Sequence, residues 1–140
     1  MDVQVNMWAV LLATVSSMVV GSIWYAKPVF GTTWGKLVKL SDKQMQQGAG
    51  RAMMQAVVAG FLTAYVLAHV TYLANRFYGG SFMNDALITA FWMWLGFSAT
   101  TIVTHNAFEQ KPPKLTVLAV GNQLVTLLVM GLIIGWLKPF

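Results

Sequence analysis

The sequence predicts an all-α, polytopic membrane protein: four transmembrane helices, with a short amphipathic interfacial helix after the first. Three observations predict it. Hydrophobic side chains make up 57% of the 140 residues and charged ones only 9%, against about 25% charged in a soluble domain. A small soluble fold has too much surface for its volume to hide that much apolar material. The nine basic and four acidic residues are also unevenly placed. Four charge-free runs of 23 or 24 residues separate Asp2 from Lys27, Arg51 from Arg76, Asp85 from Glu109 and Lys114 from Lys138. A helix needs about 20 apolar residues to cross ~30 Å of hydrocarbon. Finally, backbone groups in lipid must be satisfied within the segment, which makes these runs helices rather than open strands.

The expected spans are about 5–26, 52–75, 85–108 and 115–137, forming one transmembrane domain over residues 1–140. The first opens without a basic n-region and exceeds a signal-peptide core in length, so it reads as a retained helix. Trp24 and Tyr25 close it as interfacial aromatics do, and Pro28 stops it. In the next stretch Phe30, Trp34, Leu37 and Val38 fall on one face, with Thr32, Thr33, Lys36 and Lys39 opposite. That pattern reads as a short helix in the headgroup plane; an irregular basic loop is the plainer alternative. Ser41-Asp42-Lys43-Gln44 fits a capping box, so another short helix is expected there, separated from the second span by Gly48 and Gly50. Gly79-Gly80 marks the turn into the third span, and Lys111-Pro112-Pro113 a tight connection into the fourth.

Small residues recur every fourth position in the first two spans: Ala9, Ala13, Ser17 and Gly21, then Ala52, Ala56, Gly60, Ala64 and Ala68. Helices in lipid associate where small side chains let backbones approach, so these two are expected to pack on each other or on a neighbouring subunit. Gly131 and Gly135 in the fourth span, and Ala86 and Ala90 in the third, offer the same feature.

Lysine and arginine placement sets the expected orientation. Lys27, Lys36, Lys39, Lys43 and Arg51 lie in the first connection and Lys111 and Lys114 in the third, against Arg76 and Lys138 at the other end, seven to two. The first and third connections should face the cytoplasm, and both termini the opposite side. The same rule accounts for the net charge of +5 without invoking nucleic acid, which is not an expected partner.

Polar residues inside a membrane span are the default functional lead. Ser98, Thr101, His105 and Glu109 share a stripe on the third span, with Asn106 beside them; Asn122, Gln123 and Thr126 open the fourth. Thr101, His105, Asn106, Glu109 and Asn122 form the candidate polar pocket. His105 and Glu109, one turn apart, are a candidate proton-carrying pair; the plainer reading is a structural cluster with Asn106, Lys111 and Asn122. On the second span His69 lies between Tyr65 and Tyr72. Opposite chain directions place His69 and His105 about 20 Å or more apart in height, which argues against a shared metal. The chain has no cysteine, and no nucleophile, phosphate-loop or paired-carboxylate signature, so no cofactor and no catalysis are expected.

Three blocks carry a family likeness: Gly21-Ser22-Ile23-Trp24-Tyr25 continuing through Pro28, Phe30-Gly31 and Trp34; His105-Asn106-Ala107-Phe108-Glu109 with the basic proline turn; and Gly121-Asn122-Gln123-Leu124-Val125. Over nearly its whole length the chain resembles the bacterial membrane family called domain of unknown function 1761. The resemblance implies a four-helix protein of the bacterial inner membrane and brings no activity or ligand with it. Where that family tends to have an aromatic residue and a histidine, this chain has Asn122-Gln123, so no histidine chemistry carries over to the fourth span.

Two functional expectations follow. One is a small transporter or channel-like homo-oligomer, its solute path lined by the candidate pocket, because a bundle this small leaves little room for a central aqueous path. The other is a non-catalytic component that binds lipid or a partner membrane protein through Trp24, Tyr25, Phe30, Trp34, Lys36 and Lys39.

Overall fold

The computed structural model describes residues 2–140, and among them every regular element is helical. Asn6 starts α1 (Met7–Trp24) by accepting the Trp8 and Ala9 amides on its side-chain oxygen at 3.0 and 3.4 Å, which satisfies two of the donors that a helix start leaves free. Pro28 sits in the first turn of a π-helical segment, Lys27–Gly31, that bends the chain. A Cβ on Gly31 would lie 2.3 Å from the Tyr25 carbonyl oxygen, so the bend requires glycine. The amphipathic α2 (Thr32–Val38) follows and ends at Lys39, a left-handed residue with φ 56°.

The Ser41–Gln44 capping box forms in both directions, with 3.0 and 3.2 Å bonds. It starts α3 (Asp42–Tyr78), one helix of 37 residues. The expected break at Gly48 and Gly50 is absent: two isolated glycines each cost about 1 kcal/mol, less than a helix end whose amides and carbonyls need new partners. Gly79, at φ 69°, closes α3 by donating its amide to the Asn75 carbonyl.

The third helix long and apolar enough to span a membrane runs Phe82–Phe108 but is not uniform. It comprises α4 (Phe82–Met93), a π-helical stretch at Trp94–Ala99 and α5 (Thr100–Phe108). A π insertion adds a residue to the turn, so faces beyond it are rotated by about 100°. The Trp94 indole N–H, at the start of this stretch, donates to the Val120 carbonyl at 3.0 Å. Pro113 then opens α6 (Pro113–Trp136).

The four helices long and apolar enough to cross a membrane form a ring in which α1 and α4 each pack against both α3 and α6. Both termini lie at one end, where the Asn6 amide donates to the Leu137 carbonyl at 3.2 Å; the lysine-rich connections lie at the other, basic end. The core is concentrated in the half nearer the termini, built from Ala9, Val10, Ala64, Leu67, Met130 and Ile134. Small residues make the contacts there. Gly60 lies against Ser17, and Gly131 and Gly135 lie against Ala86, Ala90 and Met83. The small-residue stripe of α3 is buried only from Gly60 onward: Asp42 to Ala59, Ala52 and Ala56 among them, are exposed apart from Met45.

Candidate functional site

The five polar residues of the predicted pocket differ in exposure and in hydrogen-bond partners. Thr101 is exposed and donates its hydroxyl to the Phe97 carbonyl at 2.6 Å. His105 is exposed. Asn106 is buried and donates to the Thr116 hydroxyl at 3.0 Å, which ties α5 to α6. Glu109 pairs with Lys111 at 2.5 Å on the surface. The Lys111 hydrogen bond, then its charge and, less, that of His105 hold the Glu109 carboxyl below the usual range. Asn122 is buried, with no partner for its amide nitrogen. An open groove of about 310 Å³ between α1 and α6 is lined by Leu12, Val15, Val19, Ile133 and Trp136, none of them from the predicted set.

The aromatic set gathers tightly at the basic end. Trp24 meets Phe30 with ring centroids 4.7 Å apart, and Tyr25 meets Trp34 at 5.3 Å. Beyond the π-helical bend α2 packs against α6, and Lys27, Lys36 and Lys39 remain exposed. A Cβ on Gly121 would sit 3.1 Å from the Trp24 ring, so the first and third sequence blocks touch across the α1–α6 interface.

A second polar group, at the opposite end, was not legible from the charge pattern. Asp85 ends a charge-free run and therefore reads as a span boundary, but it is only 7% exposed. The Asn75 amide donates to Asp85 Oδ2 at 2.7 Å and to the Gly80 carbonyl at 2.9 Å. Gly80 lies over the carboxylate, so closely that a Cβ there would be 3.3 Å from Oδ1. One turn from Asn75 lies Thr71, fully buried with no partner for its hydroxyl. One turn from Asp85 lies Thr89, 8% exposed. The available signal was two polar pairs at spacing four, on helices joined by Gly79-Gly80, which antiparallel pairing brings opposite each other. Among the described residues no group of three His, Cys, Asp or Glu side chains is placed to hold a metal ion.

The family model for proteins of unknown function called DUF1761 matches residues 8–135, nearly the whole chain. The chain belongs to this family. No curated protein and no solved structure matches it. The matched DUF1761 region contains all four long apolar helices but for Met7 at the start of α1 and Trp136 at the end of α6, together with both polar groups described above.

Proposed function

We propose that this protein is a small transporter or channel-like homo-oligomer of the bacterial inner membrane, with both termini outside the cytoplasm and its solute path between subunits. One observation carries the reading: the basic half of the bundle is open. Asp42 to Ala59 of α3, apart from Met45, and most of α5 are exposed, so Thr101, Thr104 and His105 face away from the chain's own core. Polar residues of spanning helices usually face a protein interior or a water-filled path, and a second copy beside α5 would supply one. The role is non-catalytic. Native mass spectrometry of the solubilised chain is expected to give a multiple of 15.4 kDa. Liposomes carrying it should take up small ions or solutes faster than empty ones, and His105→Ala should reduce that flux. A monomeric mass, or flux equal to that of empty liposomes, removes the reading.

A second reading rests on the aromatic pairs of the α1–α2 bend. Their packing holds Lys27, Lys36 and Lys39 on one exposed surface, which suits an anionic lipid headgroup or an acidic partner protein. Retention of a phospholipid in the mass spectrum, lost in Lys36→Ala/Lys39→Ala, would favour it.

A further inference from the structure

We infer that the α3–α4 interface near the termini holds a binding site for one small, hard monovalent cation of the sodium class, with the Asp85 carboxylate as its charged ligand. The two helices are antiparallel across the Gly79-Gly80 turn, and the Asn75–Asp85 bond sets their register. One turn further from that turn, about 6 Å deeper, Thr71 on α3 and Thr89 on α4 occupy matching positions. The result is a seam of oxygen donors buried between two helices: one carboxylate and two hydroxyls.

Charge and hydrogen bonding both leave this seam incomplete. Buried charges are ordinarily paired or bound to a metal ion, but Asp85 has only the neutral Asn75 amide and the first turn of α4 for support. Arg76 and Lys138, the basic residues at this end, are exposed, and among the described residues the one ion pair is Lys111–Glu109 at the opposite end. Thr71 adds an independent observation. Thr14, Thr63, Thr100 and Thr101 each donate to the carbonyl four residues back. Thr71 forgoes that bond although it is wholly buried, which leaves its oxygen without a hydrogen-bond partner. All-oxygen donors favour hard cations, and a single carboxylate balances a single positive charge. Both helices belong to one chain, so the site does not depend on the oligomer reading.

Thermal unfolding of the full chain in detergent micelles tests this, with sodium chloride, potassium chloride and choline chloride compared at equal ionic strength and at two pH values. Sodium is expected to raise Tm saturably by about 3–6 °C over choline. Asp85→Asn should abolish the response. Thr71→Val removes a hydroxyl that has no partner, so it should fold normally in choline and move the sodium midpoint about tenfold higher. Equal melting in sodium and choline, a response to pH alone, or an unchanged sodium midpoint in Thr71→Val overturns the inference.

Discussion

At the residue scale, neighbours decide what a polar group does. Glu109 and His105 share a helix stripe, but Lys111, two residues beyond Glu109, takes the carboxylate. Its hydrogen bond and charge depress the Glu109 pKa. A carboxyl whose folded pKa is lowered contributes stability above its unfolded pKa, and that contribution is lost as pH falls through the folded value. Lys111→Ala is therefore expected to return the Glu109 titration midpoint upward toward the ordinary carboxylate range, as read by carbon-13 NMR of the side-chain carboxyl. An unmoved midpoint would rule out the pair. Both side chains are largely exposed, so the effect on overall stability should be small. Asp85 is the opposite case: buried under Gly80, it depends on whatever the interface supplies.

At the element scale, backbone proximity determines which helices stay together. Gly135 of α6 lies so close to α4 that a Cβ would be 2.9 Å from the Met83 Cα and 2.7 Å from its sulfur. Gly135→Ala must push the two helices apart, and overpacking of this kind costs about 1–3 kcal/mol. Gly21→Ala is the matched control, since nothing lies within 4 Å of the added methyl; alanine's better helix propensity should make it neutral or slightly stabilising. Denaturant unfolding in micelles should separate the two, and equal midpoints would mean that the α4–α6 contact is not tight. The same reasoning explains α3. Its small-residue stripe continues past Gly60 toward the helix start, but there it is exposed.

At the scale of the whole molecule, one residue links the two ends of the chain. Asn6 caps α1 with its side-chain oxygen and reaches Leu137 with its nitrogen. Asn6→Asp keeps the acceptor and loses the donor, whereas Asn6→Ala loses both. Both variants should lower Tm, and Asn6→Ala should also shorten α1, costing about 1 kcal/mol more for the cap. Circular dichroism melts check the order; equal losses would mean that the cap contributes nothing beyond the link across the termini, and an unchanged Tm in Asn6→Asp would mean that the link contributes nothing.

Much of the architecture was legible from one dimension. Backbone groups in lipid have no hydrogen-bond partner outside the segment, which is why charge-free runs of bilayer length read as helices, and four long apolar helices could be read from where Lys27, Arg51, Arg76, Asp85, Glu109 and Lys114 stand, but not that α3 begins unbroken at Asp42. The Ser41 capping box and the amphipathic face of Phe30, Trp34, Leu37 and Val38 were local patterns, and local patterns survive folding. Tertiary structure alone decided which polar residues meet. Burial depends on how each helix is rotated and how near its neighbour comes, and the π-helical stretch at Trp94–Ala99 resets that rotation midway through the third span. It therefore took the folded chain to leave His105 on the surface and to bury Asp85 against Asn75, with Thr71 in the same interface.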